Sequence, residues 1–193
     1  MSDRRSSLRS GGLIDRLVQR PARPREHLFA DLNIGFPVLT KTNKTAKAKG
    51  GRFAIVASKY NGKYVNSMLR AAKRELEQSA AEIKTVRVPG AYEIPVVVGE
   101  LARQNETDQM WSGIICLGVI MRGATTHAQH IGDAVSDALA HAQLLYGVPV
   151  IHEVLLFEDH EQARVRCLDP DFNRGSEAAQ TALAMAKVMK SIR

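Results

Sequence analysis

From Arg52 onward, short apolar runs alternate with amphipathic stretches. Phe53-Ala54-Ile55-Val56-Ala57 is uniformly apolar and reads as a strand buried on both faces. Asn61-Gly62 breaks it. Val65, Met68, Leu69, Ala72 and Leu76 then recur at helical spacing, which predicts a helix to about Gln78. Ile83–Val88 is a second strand, closed by Pro89-Gly90, and Glu93–Arg103 a second helix. Ser112–Leu117 is a third strand, ended by Gly118. His127–Tyr146 is a long amphipathic helix that stops at Gly147, and Val148–Leu155 a fourth strand. Two helices follow, about Asp159–Arg166 and Arg174–Ile192, separated by Leu168-Asp169-Pro170-Asp171.

Strands alternating with helices predict right-handed βαβ units. The expected fold is α/β, with a parallel sheet covered by helices on both faces. In such sheets ligands bind outside the carboxyl ends of the strands. That rule selects the loops after Ser58, Val88 and Leu117 before any motif is considered.

The first 50 residues have another texture. They contain Arg4, Arg5, Arg9, Arg16, Arg20, Arg23 and Arg25, interrupted by Pro21 and Pro24, and lead into the polar stretch Lys41–Gly51. Such a composition buries little and predicts a flexible basic extension ahead of a domain spanning 51–193. Within it, Leu13–Val18 is a candidate short helix and Phe36–Leu39 a candidate strand at a sheet edge.

Charge sharpens this division. Residues 1–50 carry 11 Lys/Arg against 4 Asp/Glu, and residues 51–193 carry 16 against 16, so the whole excess of +7 belongs to the extension. The domain therefore needs no polyanion, and no specific nucleic-acid partner is expected. No apolar run is long enough to cross a bilayer, so no membrane role is expected. Cys116 and Cys167 fit neither a metal spacing nor a disulfide framework and suit a reducing, cytoplasmic setting. The N-terminus lacks the apolar core of a secretory signal. Its Arg and Ser content leaves an organelle transit peptide open, against which Asp3, Asp15 and Glu26 count.

Three loops carry candidate chemistry. Gly118-Val119-Ile120-Met121-Arg122-Gly123-Ala124-Thr125-Thr126-His127 runs directly into a helix. Small residues, hydroxyls and a positive helix end suit an anion, and equally suit a capped helix start. His127 lies in the first turn, where an imidazole can take and return a proton near neutral pH. His130 is one turn away and His141 further along, and both read as ordinary helix-surface residues. With no third ligand at a recognisable spacing, no metal site is expected. Val88-Pro89-Gly90-Ala91-Tyr92-Glu93-Ile94-Pro95 offers an aromatic face and a carboxylate for a flat heterocycle, or is a tight turn with acidic helix capping. Tyr60, in Lys59-Tyr60-Asn61, either stacks on a ligand or covers the sheet end. Arg166 is either a phosphate clamp or a solvated helix residue.

Together these segments, with Gly147-Val148-Pro149-Val150 and Asn173-Arg174-Gly175-Ser176-Glu177-Ala178-Ala179, resemble the 6,7-dimethyl-8-ribityllumazine synthase family in order and near spacing over about residues 52–193. The Pro-Gly-aromatic-Glu segment and the Arg-Gly-to-His segment are specific in combination. The resemblance implies a three-layer α/β/α fold, flavodoxin-like, with a four-stranded parallel sheet and an extra N-terminal strand paired with a neighbouring subunit. It implies condensation of 5-amino-6-(D-ribitylamino)uracil with 3,4-dihydroxy-2-butanone 4-phosphate, without a cofactor. His127 is then the proton-transfer residue, and Gly123, Ala124, Thr125 and Arg166 hold phosphate. Tyr60, Ala91, Tyr92, Glu93, Ile94, Ile120 and Met121 line the pyrimidine and ribityl pocket, and Glu177 orients its rim. The resemblance also implies sites between subunits of a pentamer, or of a larger assembly of pentamers.

The chain departs from the family pattern at three places. His152 stands where an aromatic wall residue, usually phenylalanine, is expected. Arg174 replaces a lysine near the pyrimidine carbonyl, keeping the charge but changing reach and fork geometry. Leu168-Asp169-Pro170-Asp171-Phe172 replaces a small, Gly- and Lys-containing loop near the assembly contacts. His152 and Arg174 are the only support for a rival reading, a relative that binds lumazine or flavin without turnover; His127, Arg166 and the Glu93 loop oppose it. A third reading assigns nonspecific polyanion binding to the basic extension.

Overall fold

A computed structural model describes residues 50–108 and 110–193. The expected helix at Leu13–Val18 and strand at Phe36–Leu39 lie outside the described residues. In chain order the elements are β1 (Arg52–Ser58), α1 (Gly62–Gln78), β2 (Glu82–Val88), α2 (Ile94–Arg103), α3 (Asn105–Asp108), β3 (Gly113–Met121), α4 (His127–Tyr146), β4 (Val150–Phe157), α5 (His160–Cys167) and α6 (Arg174–Ile192). The strands form one four-stranded sheet in the order β2-β1-β3-β4. Every pairing is parallel.

Strand alternation divides the core in two. Phe53, Ile55 and Ala57 of β1, with Ile115, Leu117 and Val119 of β3, pack against α1, α5 and α6. Ala54, Val56, Ile114, Cys116 and Ile120 face the other way, against α2 and α4. Between Arg52 and Ser58, which end β1, and along the whole of β3, both central strands are therefore apolar, because neither face meets water. The three-layer α/β/α arrangement follows from burying both faces at once.

Two features differ from expectation. β3 does not end at Gly118 but runs on to Met121. Gly118 pairs with Val154, and a Cβ there would stand 2.9 Å from Val154 Cγ1 and 3.3 Å from Ile94 Cδ1. The glycine permits close packing within the strand rather than ending it. The loop predicted after Leu117 thus starts after Met121, and Ile120 and Met121 sit on the strand itself. The fourth strand is likewise displaced, from the expected Val148–Leu155 to Val150–Phe157. Pro149, with no N–H to donate, contributes only its carbonyl, which accepts from Ile114 N at 2.8 Å.

The short helix α3 precedes a closure absent from the sequence reading. Asn105 Nδ2 donates to the carbonyl of Trp111 at 2.8 Å, and its Oδ1 accepts from Trp111 N at 2.6 Å. Both residues are buried. This reciprocal pair holds the connection into β3 without further secondary structure.

Candidate active site

The carboxyl ends of β1, β2 and β3 open on one cleft of about 1030 Å³. Its walls include Tyr60, Ala91, Tyr92, Glu93, Ile120, Met121, Gly123, Thr125 and His127. The loops after β1 and β2 are joined: Lys59 N donates to the Val88 carbonyl at 2.8 Å and Tyr60 N to the Pro89 carbonyl at 3.0 Å. Asn61, left-handed at φ 53°, donates from Nδ2 to the Val119 carbonyl at 2.8 Å and ties this double loop to β3. Asparagine is among the few residues with a side chain that accept this backbone conformation.

Glu93 acts within its own turn. Its Oε2 accepts from Gly90 N at 2.8 Å, which fixes the Pro89-Gly90-Ala91-Tyr92 loop and aims the carboxylate. Tyr60 and Tyr92 are 73% and 62% exposed, so both ring faces are open to a ligand or a second chain. Apolar floor and polar rim together suit a flat heterocycle.

α4 begins at the other side of the cleft. The N-cap residue Thr126 makes no side-chain cap, and no acidic residue occupies the first turn. Thr125 Oγ1 accepts from His127 N at a long 3.4 Å. The capped helix start is therefore reduced to this single weak bond. The positive end of a 20-residue helix faces the cleft with its amide donors little used, which suits a phosphate. Arg122 is turned away: its Nε donates to Glu158 at 2.7 Å and Nη2 to Gln129 at 3.1 Å. His127 is exposed at the rim.

The cleft contains residues that sequence reasoning placed elsewhere. His130 lines it, one turn beyond His127 on the same side of α4. The three-residue spacing was legible as a shared helix face, but only the fold shows that this face meets the cleft. His160, at the start of α5, also lines it, with Nδ1 3.1 Å from the hydroxyl of Tyr64. No group of His, Cys, Asp or Glu suited to a metal ion occurs among the described residues.

Other expected site residues lie apart. Ile94 is fully buried beneath the cleft, against Gly118. Ala124 is exposed between Gly123 and Thr125 and does not line the cavity. His152, Arg166 and Arg174, on β4, α5 and α6, do not line it within this chain. His152 Nδ1 accepts from Val154 N at 3.3 Å, and Nε2 lies 2.9 Å from Ser136 Oγ. The Ser136 hydroxyl donates to the Gly132 carbonyl at 2.8 Å, an arrangement that suits a neutral imidazole with its proton on Nε2. Burial holds its pKa below the ordinary histidine value. Arg174 Nε and Nη2 grip both oxygens of Glu153 at 2.9 and 2.7 Å, and Nη1 donates to Glu177. Burial raises the Glu153 pKa, and Arg174 opposes that rise.

A sequence model of 6,7-dimethyl-8-ribityllumazine synthase matches residues 50–190. The chain belongs to that family. Lumazine synthase relatives span most of the same region. The one from Aquifex aeolicus is 39% identical over 76% of this chain and 94% of its own. Those from Syntrophus aciditrophicus and Stenotrophomonas maltophilia are 37% and 35% identical, covering 79% and 75% of this chain and 99% and 92% of theirs. A solved sigma-54 interaction domain protein from Enterococcus faecalis aligns at 12% identity over 76% of this chain and 98% of its own, with a TM-score of 0.29, too low to bear on fold or function. The family match takes in every element that forms the cleft.

Proposed function

We infer that this chain condenses 5-amino-6-(D-ribitylamino)uracil with 3,4-dihydroxy-2-butanone 4-phosphate to 6,7-dimethyl-8-ribityllumazine, phosphate and water, the penultimate step of riboflavin biosynthesis. The observation that carries this reading is the cleft itself: a histidine, an open helix end and two exposed tyrosines on one cavity, in a chain of the lumazine synthase family. The aminopyrimidine lies between Tyr60, Ala91, Tyr92 and the floor of Ile120 and Met121, with Glu93 at its polar edge. The sugar phosphate places its anion at Gly123, Thr125 and the first turn of α4. The pyrimidine amine attacks the ketone and a Schiff base forms with loss of water, phosphate is then eliminated, and attack of the ribitylamino nitrogen on the resulting carbonyl closes the ring with loss of a further water. His127 relays the protons, and the cleft supplies proximity.

A neighbouring copy completes the site in this reading. The open tyrosine faces, and the exposed Val96, Leu144, Leu145, Val188 and Ile192, are surfaces that a second copy would cover. The neighbour brings Arg166 to the phosphate and His152 to the heterocycle's open face. We assign a pentamer as the unit, alone or within a shell, to be checked by solution mass. A mass equal to one chain would remove the shared site. No helix among the described residues is long and apolar enough to cross a membrane. The buried free thiols of Cys116 and Cys167 favour a cytoplasmic location.

The test is turnover with both substrates. Wild type forms lumazine, while His127→Ala loses most of its rate but still binds the aminopyrimidine. Wild-type turnover by that variant would refute the role of His127; binding without product in the unaltered protein would leave a ligand-binding relative instead.

A further inference from the structure

α5 ends and α6 begins at one pinned junction. Asn173 Oδ1 accepts from Gly175 N at 2.9 Å and caps α6. Its amide nitrogen donates to the Cys167 carbonyl at 2.5 Å and to Ser67 Oγ at 3.3 Å. Cys167 and Asn173 are both buried. Arg166 comes immediately before the first anchor and Arg174 immediately after the second, so both guanidinium groups project from backbone held against α1.

Their engagements differ. Arg174 brackets both oxygens of Glu153 and also donates to Glu177. Glu153, on β4, is only 5% exposed. Arg166 makes no side-chain hydrogen bond or ion pair among the described residues; the bond between Asn173 and the Cys167 carbonyl sets its backbone beside that of Arg174, which grips Glu153, and its charge is the weakest of the influences that favour ionised Glu153. Glu153, Glu177, Arg166 and Arg174 form a charge-balanced group in which two cations stand near one buried carboxylate. While ionised, such a carboxylate needs a cationic partner, because an uncompensated buried charge is strongly disfavoured. Were Arg174 removed, Arg166 would be the remaining nearby guanidinium.

We propose that Arg174 is a positioning residue: by occupying both oxygens of Glu153, it prevents that carboxylate from capturing Arg166 and leaves the Arg166 guanidinium available for the substrate's phosphate. This rests on the reading that Arg166 binds that phosphate. It gives Arg174 a different task from direct contact with the pyrimidine, since three of its nitrogens already bond carboxylates. It also accounts for arginine at this position. An ammonium is a point charge and cannot match both carboxylate oxygens at once.

Steady-state kinetics of the full chain, varying each substrate in turn, tests the proposal. Arg174→Met raises KM for the phosphate-bearing substrate about tenfold, the scale of one lost charge-assisted bond, and weakens inhibition by inorganic phosphate to match. KM for the aminopyrimidine stays near wild type. Adding Glu153→Gln to Arg174→Met restores most of the phosphate-substrate KM, because a neutral amide competes poorly for Arg166. Should Arg174→Met fail to fold, Arg174→Lys is read instead, with a smaller rise and the same rescue. A double variant no better than its parent, or a defect confined to the aminopyrimidine, overturns the proposal. Arg166→Met provides the separate check: unchanged phosphate-substrate KM there would mean that Arg166 does not bind phosphate.

Discussion

Asn61 links the loop after β1 to β3 by donating from Nδ2 to the carbonyl of Val119 at 2.8 Å, while its own backbone is left-handed at φ 53°. The residue serves the site twice, setting the backbone turn beyond Tyr60 and fastening it beside the cleft floor. Asn61→Gly keeps the turn and loses the bond, at about 1 kcal/mol. Asn61→Ala adds left-handed strain of about 1–2 kcal/mol. Denaturant midpoints at fixed protein concentration should rank wild type, Gly and Ala in that order. Equal midpoints for Gly and Ala would show that the backbone conformation is not a constraint. Both variants should raise KM for the aminopyrimidine, because Tyr60 is the adjacent residue.

Gly175 brings the start of α6 close against the backbone of α1. A Cβ there would lie 2.0 Å from the carbonyl oxygen of Met68. Backbone cannot rotate aside as a side chain can, so Gly175→Ala must displace the start of α6. The expected loss is about 3 kcal/mol or more, at the upper end of overpacking effects. Thermal unfolding and the soluble yield would report it. A variant as stable as wild type would mean that α6 can slide without cost.

His152 gives stability a defined pH dependence. Burial lowers its pKa in the folded chain below the ordinary value of 6.5. As pH falls through that value, the unfolded chain takes up a proton first while the folded chain stays neutral. Stability is therefore complete above about 6.5 and declines as pH falls towards the lower folded value. Protonation at Nδ1 would also set a proton against Val154 N–H. His152→Phe should flatten this part of the stability profile, read from denaturant midpoints at pH 7.5, 6.5 and 5.5 (pH values set by the experiment, about one unit apart around the reference). An unchanged slope would move the effect to another group.

The two thiols should be inert while the chain is folded. Burial pushes Cys167 up to about 12 and Cys116 higher still. Thiolate is the reactive form, so neither should react with an alkylating reagent at mildly alkaline pH until denaturant is added. Rapid labelling of the native protein would show that the core opens readily.

Much of the fold was legible because its elements are strongly periodic. The helix expected over His127–Tyr146, with its end marked by Gly147, has that span, and the one expected at about Arg174–Ile192 is also present. Gly118 was misread because a glycine that stops a strand and one that lets Val154 and Ile94 approach look alike in one dimension. The reciprocal bonds of Asn105 and Trp111 bear no local sequence signal, since an asparagine in a connection commonly makes a turn.

The site divides along the same line. Tyr60, Tyr92, Glu93, Thr125 and His127 line one cleft because each sits at a strand end or helix start, and parallel α/β connectivity alone brings those ends together. His130 and His160 became cleft residues only when helix rotation was known, and periodicity states which residues share a face without stating what that face meets.

The amino-acid order by itself determined the alternation of elements, the parallel sheet and the loops where chemistry could gather, because burying both faces of a sheet imposes a pattern on every strand and helix. Tertiary structure alone decided that Arg174 grips Glu153, that His152 is half-buried against Ser136, and that Arg166 is left without a carboxylate partner among the described residues. Those choices depend on distances between residues far apart in the chain. Electrostatic pairing falls off so steeply with separation and solvent exposure that no spacing along the sequence can specify it.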